Sequence, residues 1–248
     1  MSTRFYIPLP LAAGTELDLP PNASRHVQVL RLQPGDPLVL FDGTGGQWQA
    51  QVLAMGRKLV SARVLQHEPL EAELATPVTL ALGMPANERM DTLIEKATEL
   101  GAACIQPLVC ERSVLRVAGD RAERKAAHWQ GVAAAAAEQC GRNRVPVIAS
   151  PLPLRQWLAQ ALPDGHRGLL LSLAADAPPL ATVLATARAA GQSAPTVLLS
   201  GPEGGLSPAE QALALERGFT PVSLGPRVLR ADTAPLAVLA CIAALESA

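Results

Sequence analysis

From Pro77 onward, strand-like and helical runs alternate, and no other feature limits the possible folds of this chain so strongly. The strand-like runs are VTLALGM (78–84), CIQPLV (104–109), VPVI (145–148), GLLLSL (168–173), TVLLS (196–200) and TPVSL (220–224). Between them the apolar period predicts helices near 88–100, 121–139, 153–162, 179–190 and 208–217, with a last helix near 235–246. Apolar strands separated by helices of this length predict an α/β domain, a mostly parallel sheet with helices on both faces. The chemistry of the helix boundaries agrees. Asp120 stands three residues before Glu123, and Ser207-Pro208-Ala209-Glu210 joins an N-cap serine, a proline at the first helical position and a glutamate able to close a capping box. Gly101, Gly141, Gly191 and Gly218 fall where helices should stop.

Before Pro77 the pattern is one of short strands. DPLVLFD (36–42) leads through Gly43-Thr44-Gly45-Gly46 into QWQAQVLAM, and LVSARVLQ follows a further break at Gly56, which predicts hairpins in a small β-barrel or curled sheet. The stretch from Glu68 to Pro77 lacks periodicity and reads as a linker, so the expected domains are 1–72 and 73–248. At 49% hydrophobic and 17% charged residues over 248 positions, the chain is too apolar to be disordered. Its net charge of −1 means that any phosphate-binding surface must be a local patch. Cys104, Cys110, Cys140 and Cys241 form no C-x-x-C pair and have no clustered histidine, so neither a metal site nor a disulfide framework is expected. The N-terminus MSTRFYIPLP lacks signal-peptide character and no apolar run has membrane-spanning length, so the expectation is a cytoplasmic protein with no membrane partner.

Two segments carry most of the chemical information. In TVLLSGPEGGLSPAEQ (196–211) a buried strand ends at Ser200, the chain turns through Gly201-Pro202-Glu203-Gly204-Gly205, and a helix starts at Ser207. Ligands of open α/β sheets collect at the carboxyl ends of strands, and glycines there let backbone approach them closely. The loop has neither G-x-G-x-x-G nor G-K-[ST], and its central glutamate would repel phosphate, so it suits a neutral or cationic ligand. In VSLGPRVLRADTAPLAVLA (222–240) the strand-to-helix connection passes Arg227 and Arg230 and exceeds the two to six residues such turns usually need. Asp232 and Thr233 sit where an N-cap of the last helix is required.

LLSGPEGGLSPAE followed by GFTPVSLGPRVLRADTA resembles the C-terminal signature of the SPOUT class of methyltransferases. KATELGAACIQPLVCERS (96–113) and AAEQCGRNRVPVI (136–148) resemble the bacterial family that methylates N3 of a uridine in 16S ribosomal RNA. RHVQVLRLQPGDPLVLFDGTGG (25–46) is similar to the PUA-like RNA-binding domain of that family. The resemblance implies a C-terminal trefoil knot, which periodicity cannot show, preceded by a PUA-like barrel. It also implies S-adenosylmethionine as cofactor, held by Leu171, Ser172, Ser200, Gly201, Pro202, Glu203, Gly204, Leu224, Gly225, Arg227, Val228 and Leu229. The chain departs from the family at Ala231-Asp232-Thr233-Ala234, where Thr-Glu-Thr-Ala is usual, and at Cys140, where serine is usual.

Among polar residues, Arg25, His26 and Arg31 form a candidate phosphate patch. Arg112, Glu138, Gln139 and Arg142 are further candidate RNA contacts at the edge of the active site, although arginines beside helix ends also have a purely structural account. For chemistry, Arg230 and Arg142 are candidate stabilisers of a uridine anion, and Glu203 and Asp232 candidate proton acceptors. The expected partners are 16S ribosomal RNA within an assembled small subunit and a second copy of the chain. A nucleotide-dependent oxidoreductase or hydrolase on a doubly wound sheet is the first rival, but the turn Gly83-Met84-Pro85-Ala86-Asn87 lacks its glycine fingerprint. A non-catalytic RNA-binding module that kept the fold is the second.

Overall fold

The computed structural model describes residues 3–160 and 162–246, and its contacts divide the chain into two compact units. The first comprises Met1–Glu73 with Ala134–Val145, the second Leu74–Ala133 with Pro146–Ala248. The division at 72/73 expected from sequence is therefore interrupted by a return of the chain, since residues 134–145 pack with the N-terminal unit.

In the first unit, β1 (Arg4–Tyr6), β2 (Glu16–Asp18), β3 (Pro37–Phe41), β4 (Gln47–Met55) and β5 (Val60–Glu68) form one sheet in the order β1-β3-β4-β5-β2. Strands β3, β4 and β5 are antiparallel neighbours, as the glycine turns predict, while β1 runs parallel to β3. Alternate residues Leu38 and Leu40, Ala50 and Val52, and Val60, Ala62 and Val64 point to one buried face with Phe5. Helix α1 (Pro21–Val29), which the strand pattern concealed, covers that face with Ala23 and Val27. Its one sequence signal is Pro21 in the first turn, where a proline costs no hydrogen bond. The segment after β5 is no loose linker. Glu71 pairs with Arg144, Glu73 with Arg142, and the Leu70 carbonyl accepts from Asn143.

The second unit alternates as predicted. β6 (Val78–Gly83), α2 (Asn87–Glu99), β7 (Cys104–Val109), α3 (Asp120–Cys140), β8 (Val147–Ile148), β9 (Leu152–Pro153), α4 (Leu154–Leu158), β10 (Arg167–Leu171), α5 (Leu180–Ala189), β11 (Thr196–Ser200), α6 (Pro208–Glu216), β12 (Thr220–Val222) and α7 (Thr233–Glu246) follow in order. The sheet order is β12-β10-β11-β6-β7-β8, with β9 also beside β7, and all of its pairs are parallel. Both faces are covered. Val197 and Leu199 of β11 pack with Leu154, Leu158 and Ala214 of α4 and α6, while α7 lies against β11, α2 and α5. The capping box at Ser207 and Glu210 is formed, and the four helix-stopping glycines all adopt positive φ. The helix expected at 153–162 is cut to α4, and Ala161 lies outside the described residues.

Candidate functional site

Because the strands are parallel, the carboxyl ends of β10, β11 and β12 meet at one edge of the sheet, and the loops leaving them enclose a cavity of about 530 Å³. Leu171 and Ser172 come from β10, Ser200 to Leu206 from β11, and Leu224, Gly225, Arg227, Val228, Leu229 and Arg230 from the connection after β12. All twelve residues expected to hold a cofactor therefore line a single site. Serine hydroxyls set the turns of two of these loops. Ser172 Oγ accepts from the Ala174 amide at 3.1 Å and Ser223 Oγ from the Gly225 amide at 3.1 Å. Main chain also joins them, since the Ser172 amide donates to the Val222 carbonyl at 3.0 Å.

The glycine-rich loop is pressed against its neighbours. A Cβ at Gly83, the last residue of β6, would collide with the nitrogen and ring of Pro202, so only glycine lets the loop lie against that strand end. Sequence comparison with dinucleotide fingerprints gave Gly83 no role, and its importance emerges only from this close approach. Glu203 reaches back to the start of α2, where its Oε1 accepts from the Ala86 amide at 3.1 Å and lies 3.9 Å from Arg89 Nη1. Helix α2 has no side-chain cap of its own, so this carboxylate serves at its positive end. Glu203 thus lines the cavity with a structural task already in hand. Arg89 lines it too and was missed, because nothing in the local sequence of α2 distinguishes it.

Among the described residues, four arginines, Arg89, Arg112, Arg227 and Arg230, surround the cavity against the single carboxylate Glu203. Arg227 and Arg230 are exposed, and Arg230 makes no ion pair with a described residue. Arg112 Nη1 donates to the carbonyl of Gly204 at 3.1 Å, so this expected RNA contact also supports the glycine-rich loop. Asp232 stands beyond the lining, in the turn before α7, with its carboxylate 3.4 Å from the Thr233 hydroxyl, as expected of a residue at the helix entrance. Burial and the nearby Glu210 carboxylate push the Cys110 thiol up to about 12, so it is a packed thiol rather than a nucleophile. Among the described residues no cluster of histidine, cysteine and carboxylate side chains suited to a metal is present.

Arg142, Glu138 and Gln139 belong to the N-terminal unit, and none lines the cavity. Arg142 is 3% exposed, and its guanidinium is engaged by both oxygens of Glu73. A buried cation held in this way is accounted for by the fold itself. Glu138 accepts the Tyr6 amide at 2.8 Å and so anchors β1. Gln139 is exposed beside it. Arg25 and His26 are exposed on α1, His26 standing edge-on to Phe5, and Arg31 is exposed at the end of the same helix.

Residues 72–243 match the family described as RNA methyltransferase domain, and residues 19–65 match the RNA methyltransferase PUA domain. The chain is 40% identical over 220 residues to ribosomal RNA small subunit methyltransferase E of Synechocystis sp., a match covering 88% of this chain and 69% of that protein. A crystal structure of a ribosomal RNA small subunit methyltransferase E from Neisseria gonorrhoeae bound to S-adenosyl methionine is similar, with a TM-score of 0.88 at 35% identity over 99% of this chain and 98% of that one. So is a methyltransferase of Legionella pneumophila in complex with bound SAM, with a TM-score of 0.86 at 33% identity over the same shares of the two chains.

Proposed function

Since the chain belongs to the RNA methyltransferase family, we propose that it transfers the methyl group of S-adenosylmethionine to N3 of a uridine in 16S ribosomal RNA. The observation that carries this reading is the cavity at the sheet's carboxyl edge, built from three loops with one glutamate and four arginines. Its volume falls in the range of cofactor pockets, roughly 300–1,000 Å³. Leu171, Leu224, Val228 and Leu229 supply apolar surface for a nucleoside, and the backbone of 200–204 and 224–229 supplies polar groups for its edges. The tight Gly83–Pro202 approach makes a cradle that a side chain would fill. These residues fit the cofactor, and the loops are those we assign to the trefoil knot of the SPOUT class.

When bound, the cofactor supplies an electrophilic methyl group on a sulfonium that departs as a neutral thioether. The chain's own work is to orient the base and manage its proton. A uridine N3 must lose that proton, and a comparably weak acid such as tyrosine has a reference value of about 10. Arg230, exposed at the exit of the 224–229 loop, stabilises the developing anion. Of the two proposed proton acceptors, Glu203 lines the cavity whereas Asp232 stands at the entrance of α7. Arg25, His26 and Arg31 dock RNA phosphates from the N-terminal unit, and a second copy covers the small apolar positions Ala240 and Ala244 exposed on α7. The enzyme acts in the cytoplasm on the small subunit.

The decisive experiment offers tritiated S-adenosylmethionine and the full chain to small subunits from cells lacking this protein, then maps the label. Incorporation at N3 of one uridine of 16S ribosomal RNA is expected. Label on another position or another RNA would overturn the assignment.

A further inference from the structure

We infer that Glu210 is a positioning residue for the glycine-rich loop, bolting it to the turn after β7. The inference rests on the reading of the cavity as the S-adenosylmethionine site. In an ordinary capping box the glutamate reaches the N-cap amide from an exposed first turn. Glu210 does this, its Oε2 accepting from the Ser207 amide at 2.8 Å, but the residue is only 1% exposed. An ionised carboxylate is costly to bury unless its oxygens are occupied by donors. The second donor is the amide of Glu111, 2.8 Å from Oε1 and 99 residues away in sequence. One carboxylate therefore joins the end of the cofactor loop to the Cys110–Ser113 turn, which closes on its own through the Ser113 amide and the Cys110 carbonyl at 3.1 Å. The next residue of that turn is Arg112, which donates to Gly204. A Cβ at Gly204 would lie 3.0 Å from that of Arg112, so the two segments are already in contact. A helix cap alone needs neither the burial nor the bond to Glu111.

Two pairs of full-length variants separate positioning from capping. Glu210→Gln can satisfy only one of the two amides, whereas Ser207→Ala removes the hydroxyl half of the cap and leaves the link to Glu111. Glu111→Pro deletes the donated amide at the second position of the turn, where proline is favoured, and Glu111→Ala controls for its side chain. Titration calorimetry with S-adenosylmethionine should show Ser207→Ala and Glu111→Ala within about 2-fold of wild type. Glu210→Gln and Glu111→Pro should bind about 10-fold more weakly, which is roughly 1.4 kcal/mol. Single-turnover transfer at saturating cofactor should change far less, giving a defect in KM and not in kcat. Equal affinities within each pair would overturn the role of Glu210 while leaving the cavity assignment standing. Failure of the wild-type chain to bind the cofactor would overturn both. If Glu210→Gln does not fold, Glu111→Pro decides, and collapse of both would show a purely structural link and reject the inference.

Discussion

At the scale of single residues, the cavity sets cations against one carboxylate, and each charged group has a different degree of freedom. Arg89 lies 3.9 Å from Glu203, Arg112 is engaged with the Gly204 carbonyl, and Glu203 itself caps α2. Arg227 and Arg230 are both exposed on the lining, and Arg230, at the exit of the loop, is the one proposed to meet a developing anion. Arg230→Ala should bind S-adenosylmethionine within a few-fold of wild type yet lose on the order of 100-fold in transfer, the scale of one lost electrostatic stabiliser. Raising the pH should partly rescue it, because solvent base then supplies the uridine anion. Single-turnover rates between pH 7 and 10 measure this, and a defect confined to cofactor affinity would remove Arg230 from the mechanism. Arg142→Met, in contrast, should leave the affinity for S-adenosylmethionine unchanged, since Arg142 is absent from the lining. Its cost should appear as stability, about 3 kcal/mol, because Glu73 then loses a buried partner. Urea denaturation with calorimetry checks both halves.

Among the elements, α1 carries the most telling irregularity. It ends in a Schellman motif, with the Leu32 amide donating to Val27 and the Arg31 amide to Gln28, a geometry that usually places glycine at the left-handed position. Here that position is Arg31, at φ 58°, the one non-glycine residue of positive φ among the described residues. An L side chain there costs about 1–2 kcal/mol. Arg31→Gly should therefore raise the melting temperature by about 2–4 °C, and if Arg31 meets RNA phosphate it should weaken RNA binding and flatten its salt dependence. A variant that is stabilised and binds RNA as well as wild type would remove Arg31 from the docking surface. Calorimetric melting and filter binding across a salt series make the two measurements.

For the whole molecule, the consequential feature is the return of residues 134–145 to the N-terminal unit. Arg4 donates to the carbonyl of Arg142 and to Asn143 Oδ1, and the Val145 amide donates to Gly43. A fragment of residues 73–248 would therefore keep Asn143, 2% exposed in the intact chain, without the partners that satisfy it. The fragment should unfold at lower urea than the corresponding transition of the intact chain, and equal midpoints would show that the two units divide cleanly at 72/73. The alternating runs, the Ser207 capping box and the helix-stopping glycines were all legible in sequence, because periodicity, capping and turn chemistry act over a few residues. The glycine-rich loop and the arginine-bearing connection after β12 were legible for the same reason, each being a contiguous motif. Helix α1 was not, for its apolar positions are few and its start has no side-chain cap. Only the tertiary structure decided that Glu73 holds Arg142 across 69 residues, that Gly83 must leave room for Pro202, and that Glu210 reaches Glu111. Such contacts leave no periodic trace, because chain closure and core packing, not local geometry, bring their partners together.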